Sequence, residues 1–262
     1  MVVPRDIEDL LGVALEVVTP KCLLPKPKVL TYSNRRRKRP GQTNRGVRRS
    51  ISKGDLFTMN ILHLDSSVTG ANSISRPLSK ETTLKLQRDN PGACVVYRDL
   101  VEEPIGHYTA VKRLFAVDAP NLTAEQKLEL ETGERILQEF LSADIIVVGA
   151  PMYNFTIPSQ LKAWIDLICV ARVTFRYGDH GPVGLCGGKM VVIISTRGRH
   201  YAEGSLFELH DFQEKYLKDV FGFLGITNVQ VVRAEGLAEG PEKTGEAVSA
   251  ARRQIAELGT GL

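Results

Sequence analysis

The sequence predicts an α/β protein built on a doubly wound, five-stranded parallel sheet in a three-layer α/β/α arrangement. From Met59 onward, short runs of β-branched residues alternate regularly with longer amphipathic segments. The short runs are apolar on both faces, as expected of parallel strands that helices cover on either side. Loops rich in polar or aromatic residues follow three of these runs, and such sheets bind their ligands at the carboxyl ends of the strands.

We expect five strands and five helices in strict alternation after residue 58. The strands are predicted at 60–64, 93–98, 144–149, 189–194 and 228–232, and the helices at 76–90, 123–142, 158–170, 205–224 and 241–258. Thr123 and Gln126 have the spacing of a capping box, which fixes the start of the second helix. Right-handed crossovers favour the strand order 2-1-3-4-5, with the switch point between the first and third strands.

The loop after the third strand carries side chains that are unusual for a turn. It places two aromatic rings, a thioether and an amide at the carboxyl end of a strand, just before a helix that begins near Pro158. The residues concerned are Met152, Tyr153, Asn154 and Phe155. Their position favours contact with a ligand, whereas packing of the loop against its neighbours is the alternative for any one of the aromatics.

The loop after the first strand, 65–75, contains six hydroxyl or amide side chains and leads into a helix. The unpaired N–H groups and the positive dipole at a helix N-terminus favour a phosphate, and serine hydroxyls complete such a shell. Ordinary N-capping by Ser73 or Ser75 is the alternative. Neither GxxxxGK[ST] nor GxGxxG is present, so a terminal monophosphate fits best. Combined with the aromatic loop, this pattern indicates flavin mononucleotide (FMN).

The loop after the fourth strand, 195–201, is the third candidate ligand loop. Gly198 lets the backbone approach a ligand closely, and exposed N–H groups there suit the polar pyrimidine edge of a flavin. A plain left-handed turn at Gly198 is the alternative.

Five motifs follow one another along residues 59–262, namely LHLDSSVTGANSIS, APMYNFTIPSQLKAWID, VTFRYGDHGPVGL, STRG and AEGLAEGP. Together they resemble the FMN-dependent NADH:quinone oxidoreductase and azoreductase family of flavodoxin-like proteins. By position, the resemblance implies phosphate contacts from Ser67, Ser73, Ile74 and Ser75, ring contacts from Met152, Tyr153, Asn154 and Phe155, and contacts to the polar edge of the ring from Thr196, Arg197 and Gly198. Arg199 stands where the family commonly has a second glycine. A cation at Arg197 or Arg199 is expected to stabilise an anionic reduced flavin.

The resemblance also implies the activity. NADH or NADPH reduces a tightly but non-covalently bound FMN and leaves, and a quinone or aromatic azo compound then takes two electrons in a ping-pong cycle. Because the flavin carries the chemistry, no catalytic side chain is expected. The family's active site lies at a homodimer interface, and Phe175 and Tyr177 are the candidate aromatic walls of the substrate pocket. Their alternative role is to cover an exposed sheet edge. The long loop 101–122 is a second candidate wall.

Two other functions remain open on the sequence. A one-electron flavodoxin-like carrier shares the fold and FMN, although such carriers are usually smaller. A nucleic-acid-binding role would rest on residues 1–58, which hold 13 basic and 5 acidic residues against 21 and 25 in the rest of the chain. We expect this basic extension to be disordered, or to reflect a misassigned start, and residues 59–262 to form one FMN-binding domain.

Composition argues for a cytoplasmic protein that neither enters a membrane nor binds a metal. The apolar run 10–18 is too short to cross a bilayer. The five histidines show no metal-ligand spacing. No CxxC pair is present, and the four cysteines are expected to be reduced thiols, with two of them in the core. They are Cys22, Cys94, Cys169 and Cys186.

Overall fold

A five-stranded, all-parallel sheet lies at the centre of the protein and is covered by helices on both faces. The computed structural model describes residues 58–109, 122–202 and 204–259. The predicted basic extension, except for its last residue, and most of the second half of the loop 101–122 therefore lie outside the described residues. The sheet order is β2-β1-β3-β6-β7, which confirms the predicted order 2-1-3-4-5 for the five strands of the sheet.

The elements alternate along the chain as the sequence predicts. The strands of the sheet are β1 (Asn60–Asp65), β2 (Cys94–Asp99), β3 (Ile145–Pro151), β6 (Met190–Thr196) and β7 (Asn228–Ala234). The helices are α1 (Ser75–Asp89), α2 (Ala124–Ser142), α3 (Ser159–Ile168), α4 (Glu214–Phe223) and α5 (Pro241–Glu257). A separate antiparallel hairpin of β4 (Phe175–Gly178) and β5 (Gly181–Gly184) follows α3.

Burial explains why the β-branched runs become central strands. Every residue of β3 and of β6 is buried, because helices pack on both faces of the sheet. On one face, Trp164 of α3 meets Phe140 of α2 edge to face, with ring centroids 5.9 Å apart, in a core that also includes Phe221 of α4. On the other face, α1 and α5 pack a smaller apolar core that includes Leu78 and Ile255.

The second helix begins as the sequence predicts. The backbone N–H of Gln126 donates to the Thr123 hydroxyl at 3.2 Å, and the Gln126 side-chain carbonyl accepts from the Thr123 N–H at 3.0 Å. This reciprocal capping box satisfies two N–H groups that the helix leaves unpaired, and so confirms the predicted start of α2.

The fourth helix is shorter than predicted. Residues 205–213, which we call the wall segment, are not part of the α-helix and contain only a short 3-10 turn at Glu208–His210. The reason is the carboxylate of Asp211, which accepts the N–H groups of Gln213 and Glu214 at 3.2 and 3.1 Å and so stops the helix from extending toward its N-terminus. The predicted helix 205–224 was wrong over its first nine positions.

The hairpin β4–β5 sits at the amino edge of the sheet. The turn after α4 leads into the first residue of β7, so it lies at the edge where parallel strands begin. A Cβ on Gly184 would lie only 2.0 Å from the backbone nitrogen of Gly225 in that turn, and the Cys186 N–H donates to the Leu224 carbonyl at 2.9 Å. The hairpin is therefore anchored opposite the carboxyl ends of the strands.

One prediction about the cysteines was wrong. Cys94 does not lie in the core, whereas the sequence led us to expect a core thiol there. It is only partly buried, because it begins β2, an edge strand. Cys169 and Cys186 are free thiols among the described residues, and burial raises the pKa of the Cys169 thiol to about 11.

Candidate functional site

Three loops meet at the carboxyl edge of the sheet. They leave β1, β3 and β6, which are consecutive neighbours in the strand order. The parallel registers pair Asp65 with Gly149 and Pro151 with Thr196, so the three strands end at nearly the same level. The loops 65–75, 150–156 and 195–201, which we predicted to bind a ligand, are therefore adjacent in space.

A tyrosine hydroxyl joins the first loop to the second. The hydroxyl oxygens of Tyr153 and Ser67 lie 3.2 Å apart, and the Val68 N–H donates to the same tyrosine oxygen at 3.2 Å. Ser67 is almost completely buried, and its hydroxyl also lies 2.9 Å from that of Thr69. The tyrosine therefore fixes the spacing between the hydroxyl-rich loop and the aromatic loop.

The second loop is a tight two-residue turn that continues from the sheet. The Met152 N–H donates to the Thr196 carbonyl at 2.8 Å, which extends the pairing of β3 with β6 into the site. Tyr153 and Thr156 then exchange two backbone hydrogen bonds, and Asn154 and Phe155 between them have positive φ values of 48° and 72°. Positive φ at both central residues is the geometry of a type I′ turn. Phe155 bears its ring here at a strained backbone position, with 43% of its surface exposed.

The serine hydroxyls of the first loop gather at the N-terminus of α1. Those of Ser73 and Ser75 lie 3.1 Å apart, and the Ser73 oxygen accepts the Arg76 N–H at 3.2 Å. Ser73 therefore pairs with an N–H group of the first turn of α1, as its predicted alternative role requires, although it lies two residues before the helix begins. The Ser66 hydroxyl donates to the Gly149 carbonyl at 2.6 Å, so this residue anchors the loop instead of facing a ligand.

Sequence reasoning missed an arginine that holds the hydroxyl-rich loop. The guanidinium of Arg76 donates to both carboxylate oxygens of Asp99 and, at 3.0 Å, to the Ser67 carbonyl. Burial alone would raise the pKa of Asp99, but the hydrogen bonds from Arg76 and from two backbone N–H groups hold it below its ordinary value. The available signal was the position of Arg76 in the first turn of a helix, where the dipole disfavours a cation that has no acidic partner.

A second missed group lies beneath the same loop. The buried carboxylate of Asp65 accepts hydrogen bonds from the hydroxyls of Ser79 at 2.7 Å and Tyr97 at 3.1 Å. Burial, together with the charge of Asp65, raises the pKa of Tyr97 well above its ordinary range. A Cβ on Gly149 would lie 2.6 Å from this carboxylate. Only glycine therefore fits beside Asp65 on β3.

The third loop places its two arginines in opposite environments. The side chain of Arg199 is more than half exposed, and its guanidinium lies 3.9 Å from Glu239. The side chain of Arg197 is fully buried and forms ion pairs with Asp211 at 3.1 Å, Glu214 at 2.6 Å and Glu235 at 3.2 Å. The expectation that the Arg197 cation is presented to a flavin is therefore not met, because three carboxylates surround it.

The other predicted residues of the third loop keep their places. Thr196 ends β6, and Gly198 accepts the Ala238 N–H at 3.0 Å. The φ of Gly198 is not in the left-handed region, so the alternative of a plain left-handed turn there is wrong. A Cβ on Gly198 would lie 3.4 Å from the Ala238 side chain, which leaves little room for a larger residue.

Glu214 is the most heavily paired carboxylate near the site. Burial alone would raise its pKa, but the hydrogen bonds from Arg233 and the charges of Arg197 and Arg233 hold the pKa below its ordinary value. The guanidinium of Arg233 donates to both oxygens of Glu214, at 2.8 and 2.7 Å. The first turn of α4 is thus tied to β7 and to the third loop.

The predicted aromatic walls lie apart from the three loops. Phe175 packs against Phe223 of α4, with ring centroids 4.6 Å apart, and so covers the apolar core on the α4 side instead of an edge of the sheet, which was its predicted alternative role. Tyr177 stacks edge to face on Phe175 and remains 75% exposed. Since the hairpin is anchored at the amino edge, neither ring reaches the loops of its own chain.

Among the residues that the structure describes, no cluster of three or more histidine, cysteine, aspartate or glutamate side chains is arranged to hold a metal ion. No helix in the same part of the chain has the length and apolar character needed to cross a bilayer.

Comparison with known proteins assigns the family. Residues 59–258 match the family model described as "Flavodoxin-like fold". The FMN-dependent NADH:quinone oxidoreductase of Sinorhizobium fredii is 49% identical over 199 residues, covering 76% of this chain and 96% of the relative. FMN-dependent NADH:quinone oxidoreductase 3 of Pseudomonas fluorescens is 52% identical over 200 residues, covering 76% and 97%.

Solved structures agree with this assignment. An azoreductase from Bacillus anthracis strain Sterne superposes with a TM-score of 0.69 at 30% identity, covering 76% of this chain and 98% of the other. An FMN-dependent NADH-azoreductase from Bacillus anthracis strain Ames Ancestor, solved in complex with FMN, gives a TM-score of 0.67 at 28% identity, covering 77% and 99%. The chain therefore belongs to the flavodoxin-like family of FMN-dependent NADH:quinone oxidoreductases.

Proposed function

We propose that this protein is an FMN-dependent oxidoreductase that passes two electrons from NADH or NADPH to quinones and aromatic azo compounds. The observation that carries the proposal is the contact between three ligand loops at the switch point of the sheet, joined through Tyr153 and Ser67 and through Met152 and Thr196. The names of the relatives support the same activity.

The residues of the first loop fit the phosphate of FMN. Three serine hydroxyls, those of Ser67, Ser73 and Ser75, stand at the N-terminus of α1, a helix of 15 residues whose dipole favours an anion. We assign the phosphate to them and to Ile74. Because Arg76 is paired with Asp99, the loop offers neutral hydroxyl and N–H donors, which suits a phosphate that is held permanently and not released.

The second and third loops fit the ring system. We assign its flat face to the turn formed by Met152, Tyr153, Asn154 and Phe155, and its polar edge to Thr196, Gly198 and Arg199. Bound FMN supplies the chemistry by accepting two electrons from the donor and giving them to the acceptor. The protein's own task is then to orient ring and acceptor face to face, to exclude water, and to place the exposed cation of Arg199 beside the polar edge.

We further propose a homodimer in which the hairpin of one subunit reaches the site of the other. The hairpin carries the exposed ring of Tyr177 at the edge of the sheet opposite its own loops, so only a second copy can bring that ring to the flavin. The wall segment also leaves Leu206, Leu209 and Phe212 exposed by 90%, 79% and 55%, more apolar surface than a monomer usually presents in one short segment.

The tests are direct. The purified full-length protein is expected to be yellow, with one FMN per chain, and to oxidise NADH continuously in the presence of menadione or an azo dye. A one-electron carrier would bind FMN without sustaining this turnover, and a colourless protein that takes up no FMN would refute the proposal.

The homodimer has its own tests. Sedimentation equilibrium is expected to give twice the mass of the chain, and Tyr177→Ala is expected to raise the KM for the acceptor while leaving FMN bound.

We propose that residues 59–262 form the functional FMN-binding domain, in the cytoplasm where the nicotinamide donor is available. The relatives are matched over 96% and 97% of their own lengths by only 199 and 200 residues of this chain. N-terminal sequencing of the native protein tests whether the basic extension is present. A variant beginning at Met59 is expected to keep full activity, and salt-dependent binding to DNA by the longer form alone would assign the extension a different role.

A further inference from the structure

The wall segment departs from its local sequence preference, so tertiary contacts must hold it in place. Its pattern predicts a helix, yet residues 205–213 form an irregular chain with one 3-10 turn at the carboxyl edge of the sheet. A segment of this kind keeps one conformation only when its surroundings determine it. The contacts at its two faces show what determines it here.

One face of the wall segment lies on the aromatic turn. The Phe212 N–H donates to the Phe155 carbonyl at 3.1 Å, and the rings of Phe155 and His210 are 5.1 Å apart. The segment therefore borders the surface that we assign to the ring system. A displacement of this segment would move both Phe155 and the space in which an acceptor must lie.

The other face is bound, through its own residues Asp211 and Gln213, to Arg197 and to the ends of two strands. The Gln213 side-chain carbonyl accepts from the Ser195 hydroxyl at 3.0 Å and from Arg197 Nε at 2.9 Å, while its amide donates to the Ala150 carbonyl at 2.6 Å. Arg197 also donates to Asp211 at 3.1 Å. These contacts tie the wall segment to the carboxyl ends of both β3 and β6.

The hydrogen-bond and ion-pair network around Arg197 is buried, so it fixes the geometry of its members more than it adds to stability. Arg197 is 2% exposed, and neither Gln213 nor Glu214 is more exposed than that. Buried ion pairs add little net stability, because desolvation offsets their attraction, but a planar guanidinium with five fixed donors imposes one geometry on its acceptors. A lysine keeps the charge and cannot reproduce that geometry.

We propose that Arg197 is a positioning residue of the acceptor site, acting through Gln213 and the wall segment on Phe155. This inference rests on the proposed function, because it assigns the wall segment to the acceptor pocket of that site. Arg197 itself contacts neither FMN nor acceptor. Its charge is balanced by the carboxylates, and its role is to fix the distance between the wall segment and the turn at 153–156.

The test compares three variants of the holoenzyme. Arg197→Lys keeps the positive charge but loses the planar set of guanidinium donors. Gln213→Leu removes the hydrogen bonds from the wall segment to Arg197 and Ala150 and leaves every carboxylate in place. Arg233→Ala is the matched control, since it removes another cation paired with Glu214 but has no bond to the wall segment. The measurements are the FMN content, the KM and kcat for menadione, the rate of flavin reduction by NADH in stopped flow, and amide hydrogen exchange of residues 205–213.

Both Arg197→Lys and Gln213→Leu are expected to retain FMN and to raise the KM for menadione roughly tenfold, given that a misplacement of about 1 Å costs up to about 100-fold in rate. Exchange in the wall segment is expected to rise in parallel, and Arg233→Ala is expected to change neither the KM nor the exchange.

A wild-type KM together with wild-type exchange in Gln213→Leu would overturn the inference even if Arg197→Lys failed to fold. Loss of FMN with unchanged exchange would also overturn it, because Arg197 would then be a cofactor contact. If the wild-type protein lacked the activity altogether, the proposed function would fail, while the exchange data would still test the network.

Discussion

Replacing Tyr153 by phenylalanine tests whether the first two loops act as one site. The change deletes a single oxygen and keeps the ring. That oxygen lies 3.2 Å from the Ser67 hydroxyl and accepts the Val68 N–H at 3.2 Å. Because no other side chain is disturbed, any loss of flavin affinity measures what the contact between the loops contributes.

The magnitude follows from these two hydrogen bonds. A neutral hydrogen bond contributes about 0.5–1.5 kcal/mol net, and both bonds here are long and partly exposed, so the low end applies to each. The sum is about 1 kcal/mol, which corresponds to roughly fivefold weaker FMN binding at about 1.4 kcal/mol per factor of ten. Ser67→Ala should cost a similar amount, and the double variant less than the sum, since both changes break the same contact.

The assay is a fluorescence titration of FMN into protein from which the flavin has been removed. Tyr216→Phe is the control, because Tyr216 lies on α4 and packs against the core, away from the loops. Additive effects of Tyr153→Phe and Ser67→Ala would show that the two hydroxyls act separately. An FMN dissociation constant within about twofold of the wild type in Tyr153→Phe would refute the reasoning, because two hydrogen bonds should cost more than that.

Three further predictions follow from the same geometry. Gly149→Ala should destabilise the protein by about 1–3 kcal/mol in urea unfolding, because its Cβ would press on the fixed carboxylate of Asp65, and unchanged stability would show that Asp65 can move. Glu214 and Asp99 have pKa values below their ordinary 4.5 and 3.8. Each carboxylate therefore contributes stability that is fully present above its ordinary pKa and is lost as the pH falls through its lower pKa in the folded protein. Glu214→Gln should accordingly reduce the loss of stability toward acid pH, measured as the urea midpoint at each pH. Arg199→Gly should lower the two-electron potential of bound FMN by about 5–20 mV, the equivalent of about 0.2–1 kcal/mol for an exposed charge, and an unchanged potential would exclude its electrostatic role.

Much of the fold was predictable because it depends on local pattern. The run Ile145–Val148 is apolar on both faces, and it becomes the central strand. The ends of the strands were less predictable. β3 continues to Pro151 and β6 to Thr196, beyond the β-branched runs, because the two strands pair with each other there. Gly149 and Pro151 have low strand propensity, so only the neighbouring strand explains their conformation.

The site was predictable in its residues but not in their roles. The serines and aromatics of the first two loops stand out by type and position, and the structure brings them together. Arg197 and Arg199 look equivalent in sequence, yet one is enclosed by carboxylates from 14, 17 and 38 residues away and the other is exposed. The irregular course of the wall segment depends on that same burial. Pairing between distant residues of this kind leaves no periodic signal in the chain.

The way in which the β4–β5 hairpin is attached to the rest of the protein has a consequence for redesign. Gly184 and Gly225 touch through their backbones, and Gly225 has a φ of 89°, so both positions must remain glycine if the hairpin is to stay docked. The tip, in contrast, is exposed at Asp179 and His180. In the proposed homodimer, grafting tips from other sequences onto these two fixed points would therefore vary the range of accepted dyes and quinones without changing the loops that bind the flavin.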